Sequence, residues 1–279
     1  MPLSIKLNGE DRSVSIMGIL NLSPDSFYEG SRCLSVDQAV RNAERFVEEG
    51  ADILDLGAES TRPGSKPLSA EVELERLLPV VKKLLKKVDV PLSVDTYKPQ
   101  VAERVLGEGV SVINDITGLQ KYPSMAGIIA RHGAGVVMMH IKGTPETMQD
   151  DPQYQDLFGE ILSYLEKSIH IAGEAGIDPG RMMVDPGIGF GKTPQHCLEL
   201  VAGLDRFKSL NKPVLLGVSR KSFIGHAMGG AVAEERLEGS LAAAVIGVLK
   251  GASVLRVHDV GPTVRAVQMV QAICNGEAG

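Results

Sequence analysis

The 279-residue chain has no tryptophan, and only 4% of its residues are aromatic. A core without large rings has to be built from Val, Ile, Leu, Ala and Met. Cysteine is scarce as well: Cys33, Cys197 and Cys274 are far apart, with no CxxC pair. That excludes a cysteine zinc site and a disulfide framework, and it fits a reducing compartment. No apolar stretch is long enough for a bilayer: the longest, 241–249, falls well short of the roughly 20 residues a spanning helix needs. Positive charge is not in excess, since 29 Lys and Arg face 35 Asp and Glu for a net charge of −6. A basic coat for nucleic acid is therefore ruled out, although a local anion pocket is not. The first twenty residues hold Glu10, Asp11 and Arg12 and no apolar h-region, so a cytoplasmic protein with no membrane and no nucleic-acid partner is expected.

Glycine, by contrast, is plentiful at 31 residues, while 43% hydrophobic and 23% charged residues describe an ordinary globular chain. Leu3, Ile5 and Leu7 alternate with polar residues before the Asn8-Gly9 turn, which predicts a hairpin over 1–14. After it one unit recurs: a short apolar strand, a loop and an amphipathic helix. The strands read at 15–20, 52–56, 91–94, 110–113, 135–139, 181–184, 214–218 and 253–257. They are continuous apolar runs, as strands buried on both faces require. Val36, Ala39, Val40, Ala43, Phe46 and Val47 form one helical stripe. Ser35 with Gln38 has the form of a capping box before it, and Gly50 stops it. Leu74, Leu77, Leu78, Val81, Leu84, Leu85 and Val88 form a second stripe, in which Pro79 predicts a kink or break. Leu237, Leu241, Ala244, Val245 and Val248 mark a late helix. Eight such units predict an α/β (β/α)8 TIM barrel over 15–275, preceded by the short N-terminal hairpin, in one domain spanning 1–279. A doubly wound sheet is the alternative, but no GxGxxG follows the first strand.

A barrel places its chemistry at the C-terminal ends of its strands. Those ends are polar throughout: Asn21, Asp55, Asp95, Asn114-Asp115, His140, Asp185, Ser219-Arg220-Lys221, and Arg256 with His258. Asp95, Asn114, Asp185 and Lys221 together donate and accept hydrogen bonds, which suits a flat heterocycle. A plain ion pair between Asp185 and Lys221 is the other reading. Arg62, Arg256 and His258, with Asn21 and Thr61 nearby, make a cationic cluster suited to phosphate, unless Arg256 merely pairs with an acidic neighbour. Asn21 is neutral, so a Mg2+ ion would be held mainly by substrate phosphates and water. Residues 185–192 read Asp-Pro-Gly-Ile-Gly-Phe-Gly-Lys, a glycine frame around Phe190 without the spacing of a P-loop, which suits a wall for a second planar substrate.

The segments Gly18-Ile-Leu-Asn-Leu-Ser-Pro-Asp-Ser-Phe27, Glu59-Ser-Thr-Arg-Pro-Gly64, Ser93-Val-Asp-Thr96, Asn114-Asp-Ile116, Asp185-Pro-Gly-Ile-Gly-Phe-Gly-Lys192, Ser219-Arg-Lys-Ser222 and Arg256-Val-His-Asp259 together resemble the dihydropteroate synthase family. The resemblance implies a TIM barrel and a transferase of folate biosynthesis. Hydroxymethyl-dihydropterin pyrophosphate would condense with p-aminobenzoate, with Mg2+ as cofactor. It implies that Asp95, Asn114, Asp185 and Lys221 bind the pterin and that Met139 packs on it. Asn21, Arg256 and His258 would hold the pyrophosphate, with Asn21 touching the metal. Phe27, Pro63, Phe190, Lys221 and Ser222 would form the p-aminobenzoate site, with Ser219 beside it and Thr61 and Arg62 on the second loop. Asp95, Asp185 and Lys221 are the expected catalytic groups. The family implies a homodimer packed through late helices, and the uninterrupted Phe190 frame implies sulfonamide sensitivity. A pterin-dependent methyltransferase barrel would share Asp95, Asn114 and Asp185, but would need neither the 59–64 loop nor the Arg256 and His258 anion site.

Overall fold

Every apolar run read from the sequence forms a parallel strand. In the computed structural model, which describes residues 14–22, 35–62 and 64–276, the order is β1 (Ser15–Asn21), α1 (Val36–Glu48), β2 (Ile53–Gly57), α2 (Ala70–Leu84), β3 (Leu92–Asp95), α3 (Pro99–Glu108), β4 (Val112–Asp115) and α4 (Ser124–Arg131). Then come β5 (Gly135–Met139), α5 (Leu157–Glu174), β6 (Met182–Asp185), α6 (Pro194–Ala202), β7 (Leu215–Leu216), α7 (Ser222–Ala227), α8 (Leu237–Leu249), β8 (Val254–Val257) and α9 (Val260–Asn275). The expected hairpin, Phe27 and Pro63 lie outside the described residues. The strands pair in the order β6-β5-β4-β3-β2-β1-β8-β7. A bridge between Val184 and Val214 joins the two ends and closes the barrel.

Period-two alternation sorts the strand residues between two environments. Met17, Ile53, Val112, Val137, Met183, Leu215 and Val254 pack together as one cluster inside the barrel. Their neighbours Ile16, Leu54, Ile113, Val136, Met138, Val184, Leu216 and Leu255 belong to the larger core between strands and helices. Two residues further along each strand, the inward positions become Ile19, Asp55, Asn114, Met139, Asp185, Gly217 and Arg256. The polar ring is thus the next layer above an apolar plug.

The helices dock by their predicted stripes, with three differences. Ala39, Val40, Ala43 and Phe46 of α1 are buried, and Phe46 sits so close to β1 that a Cβ at Gly18 would meet its Cδ2 at 2.9 Å. The Ser35 hydroxyl accepts the Gln38 N–H at 3.2 Å, but the Gln38 side chain turns to Asn42 instead of closing the box. Helix α2 runs unbroken through Pro79. Pro79 is exposed, so water can reach the carbonyl one turn back that loses its partner. Helix α8 is rotated from its predicted stripe: Ser240, Ala243, Ala244 and Gly247 are buried, so Ala244 faces inward as predicted while Leu237, Leu241, Val245 and Val248 are only half-buried. That helix is apolar all round, so periodicity does not orient it. Size does, because a Cβ at Gly247 would collide with Leu216 of β7. Strand β7 is shorter than the expected 214–218 because the chain turns just beyond it, with the Lys221 N–H bonded to the Val218 carbonyl at 3.2 Å.

Candidate active site

The C-terminal mouth of the barrel holds a cleft of about 180 Å3, lined among others by Asn21, Gly57, Thr61, Arg62, Asp95, Phe190, Ser219, Lys221, Ser222, Arg256 and His258. Glycine makes the room. A Cβ at Gly57 would lie 3.8 Å from Asp95 Cβ and 3.9 Å from Asn21 Oδ1, and one at Gly217 would lie 3.9 Å from Lys221 Nζ.

The centre of the site is a carboxylate that the resemblance does not name. Asp55 is fully buried and takes hydrogen bonds from Ser93 Oγ at 2.5 Å, Arg256 Nε at 2.7 Å and Asn114 Nδ2 at 3.3 Å. Arg256 Nη2 then donates to Asp95 Oδ2 at 2.9 Å. Arg256 therefore does pair with acidic neighbours, while its side chain stays 20% exposed at the mouth. Burial, set against the nearby Arg256 charge and reinforced by Asp55, pushes the Asp95 carboxyl up to about 7. The available sequence signal for Asp55 is its parity with inward Ile53 and Gly57, and its register opposite Ser93.

Asp185 closes β6 and accepts the Gly187 N–H at 2.7 Å, and burial raises its pKa against the pull of Lys221. Lys221 does not form a plain ion pair with it. Its ammonium donates to the Ile188 carbonyl and stands 4.8 Å from the centre of the Phe190 ring. Burial lowers the Lys221 pKa to about 8, with Asp185 opposing. Gly187 has φ +68, and a Cβ there would overlap the His140 carbonyl, so the frame at 187–191 requires glycine where the chain presses on β5. Asn114, Met139 and Asp185 are at most 5% exposed and lie behind the lining of the cleft rather than on it.

Ser219 and His258 join the ends of β7 and β8: Ser219 Oγ is 3.2 Å from the His258 backbone N and 3.1 Å from its Nδ1. Burial and the Arg256 charge push the His258 imidazole down to about 3, so it is neutral near pH 7. Ser222 starts α7, which is only six residues long. Its hydroxyl, rather than a helix dipole, is what it offers a ligand. On the second loop, Thr61 and Arg62 face the cleft. Their loop is tied down by Gly64 N–H to the Pro145 carbonyl at 3.0 Å and by Glu59, which accepts the Leu68 N–H at 2.8 Å and pairs with Lys98. Lys98 reaches on to buried Glu73 at 2.6 Å.

Two residues outside the predicted set take structural posts. His140 is buried and bonds Lys192 Nζ through Nδ1 at 2.8 Å. Burial lowers the Lys192 pKa to about 7. His196, half-buried on α6, accepts the Thr193 N–H at the start of that helix. Among the described residues no group of three or more His, Cys, Asp or Glu is placed to hold a metal ion.

A family model described as pterin binding enzyme matches residues 17–258. Dihydropteroate synthase of Escherichia coli (strain K12) is 44% identical over 257 residues, covering 92% of this chain and 90% of that protein. The enzyme of Bacillus subtilis (strain 168) is 43% identical over 260 residues, covering 93% and 88%. The crystal structure of Yersinia pestis dihydropteroate synthase with a sulfonamide drug superposes with a TM-score of 0.91 at 40% identity over 95% of each chain. That of the Xanthomonas albilineans enzyme in complex with 7,8-dihydropteroate gives 0.82 at 38% identity over 95% and 94%. The barrel, the polar ring at its mouth and these similarities agree: the chain belongs to the pterin-binding enzyme family and, within it, to the dihydropteroate synthases.

Proposed function

We propose that the cleft joins hydroxymethyl-dihydropterin pyrophosphate to p-aminobenzoate, releasing pyrophosphate and dihydropteroate. The observation that carries this reading is the meeting of two desolvated carboxylates, Asp95 on the lining of the cleft and Asp185 just behind it, with the cations Lys221 and Arg256. Asp95, Asn114 and Asp185 offer acceptors and an amide to the pterin edge, Lys221 offers a donor to its carbonyl, and Met139 packs on the ring. Arg256, neutral His258 and Asn21 face the pyrophosphate. Phe190, Lys221, Ser222 and Ser219, with Phe27 and Pro63, receive p-aminobenzoate, and Thr61 and Arg62 close over it.

The pterin methylene is benzylic in character, so its C–O bond breaks with the electron pair leaving on pyrophosphate while positive charge spreads into the ring. Asp95 and Asp185 face that charge. A preorganised electrostatic contact of this kind is worth roughly 3 kcal/mol in the barrier. The arylamine lone pair then forms the C–N bond, and the surplus N–H proton passes to water or pyrophosphate. No protein nucleophile takes part, and an arylamine needs no strong base because it is already neutral at pH 7.

The donor set fits Mg2+ only in part, since Asn21 contributes one hard oxygen and no acidic cluster among the described residues supports it. Asn21, together with the substrate's own phosphates, would be what holds Mg2+, and the ion would supply neutralising charge to the leaving group. A homodimer fits the exposed Ile246, Leu249, Met269 and Ile273 on the packed helices α8 and α9. A cytoplasmic setting fits the free thiols Cys197 and Cys274, and no helix among the described residues is long and apolar enough to cross a membrane. Calorimetry tests the pterin assignment: the pterin pyrophosphate should bind the native protein, and Asp185→Asn should weaken binding about a hundredfold, the scale of a lost charged contact. Equal affinity would reject it.

A further inference from the structure

Arg220 lies inside the Ser219–Ser222 motif, yet its guanidinium is spent on the protein. It is 4% exposed. Nε and Nη2 grip Asp259 Oδ2 and Oδ1 at 2.8 and 2.9 Å, and Nη1 donates to the carbonyls of Ala233 and Glu234 at 2.7 and 3.0 Å. Its backbone is unusual too, with φ +56, a left-handed conformation that a long side chain seldom adopts. Such a conformation persists only where its surroundings impose it.

Both backbone groups of Arg220 are held from α8. The Arg220 N–H donates to Ser240 Oγ at 2.8 Å, and the Arg220 carbonyl accepts from Arg236 Nη1 at 3.0 Å. Ser240 Oγ in turn donates to the Arg236 carbonyl at 2.6 Å. Arg236 lies flat against α7: a Cβ at Gly225 would come within 2.6 Å of its Nε and 2.7 Å of its Nη2. Asp259 follows His258 directly in the chain. One clasp therefore fixes the turn that aims Ser219, Lys221 and Ser222, and ties it to the strand end that bears His258.

We propose that Arg220, Arg236 and Asp259 form a positioning clasp that sets the p-aminobenzoate side of the site. The planar fork of Arg220 is essential to it, because a lysine cannot bond both oxygens of Asp259 and two carbonyls at once. The proposal rests on Lys221 and Ser222 being substrate-binding residues, so the test measures that separately.

Steady-state kinetics of native protein, Arg220→Lys, Gly225→Ala and Lys221→Ala separate the possibilities, with thermal midpoints recorded for each. The expected result is a rise of about tenfold in KM for p-aminobenzoate in both Arg220→Lys and Gly225→Ala, about the loss of one good hydrogen bond, with a smaller rise for the pterin pyrophosphate through the shared Lys221 and the tied His258. A merely structural role lowers the folded fraction and kcat but leaves KM alone. Gly225→Ala is the sharper variant, because alanine favours a helix and only the displaced Arg236 and the adjoining loop can harm binding. Unchanged KM in both, with Lys221→Ala impaired, overturns the clasp. Unchanged KM in Lys221→Ala overturns the assignment of Lys221 and the clasp with it.

Discussion

Arg256 and Asp55 are 201 residues apart in sequence, and their side chains meet at 2.7 Å beneath the mouth of the barrel. The contact makes Arg256 a bridge between a buried anchor and the Asp95 carboxylate at the surface of the site. Of the two readings the sequence leaves open for Arg256, pairing with acidic neighbours is what the fold shows, and that pairing aims the cation. Asp55→Ala leaves Arg256 with one carboxylate and strips partners from Ser93 and Asn114. Removing one member of a buried pair costs roughly 3–5 kcal/mol. Urea unfolding should show a loss on that scale, and Arg256→Ala in the same background should add less than it does alone.

Asp95 gives the protein a pH signature. Its folded pKa is raised from the usual 3.8 to about 7. The folded state therefore keeps this proton longer than the unfolded chain. The associated stability is present below about pH 4, is lost as pH rises toward 7, and does not change further above that. Urea unfolding at pH 5 and pH 8 should show the native protein losing stability relative to Asp95→Asn. The ionised carboxylate is the form that faces positive charge, so kcat/KM should climb with an apparent pKa near 7. That limb should vanish in Asp95→Asn.

Two glycines with similar dihedrals should behave differently. Gly187 and Gly64 have φ of +68 and +79, but a Cβ at Gly187 overlaps the His140 carbonyl while one at Gly64 meets nothing within 4 Å among the described residues. Gly64→Ala should cost about 1 kcal/mol of backbone strain. Gly187→Ala should cost roughly 3 kcal/mol or more and abolish pterin binding, because β5 has to give way. Thermal midpoints and pterin titrations of the two variants check the contrast.

Phe190 and Lys221 form one wall of the cleft, with the ammonium 4.8 Å from the ring centre. A sulfonamide should compete with p-aminobenzoate on that wall. Phe190→Ala should weaken both ligands together, by about tenfold if one aromatic contact is lost. Inhibition that stays uncompetitive with p-aminobenzoate in the native protein would count against the shared wall.

The α8 and α9 face offers a separate check. Ile246→Glu with Ile273→Glu places charge on exposed apolar positions. The proposed homodimer predicts that sedimentation gives a dimer for the native protein and a monomer for this variant; a native monomer would contradict it.

Much of this site is legible in the sequence because it follows period two. Asn114 and Asp185 stand two residues beyond inward Val112 and Met183, and Asp95 two beyond inward Ser93; their place at the ends of apolar runs is enough to mark them as site residues. Asp55 obeys the same rule, two residues beyond inward Ile53, and is read among the polar strand ends, but its pairing with Ser93, Asn114 and Arg256 depends on cross-strand register that only the fold shows. The Arg220–Asp259 clasp is illegible for another reason: its partners lie 39 residues apart, on loops with no periodicity to carry the signal. Helix α8 shows the limit of hydrophobic patterning, since its buried face is selected by small size at Gly247 rather than by apolarity.

The central claim is the reaction itself. The purified protein incubated with hydroxymethyl-dihydropterin pyrophosphate, p-aminobenzoate and Mg2+ should release pyrophosphate and form dihydropteroate in equal amounts. Release should fall to background when p-aminobenzoate is omitted. Pterin binding by calorimetry with no pyrophosphate released under any of these conditions would contradict the account.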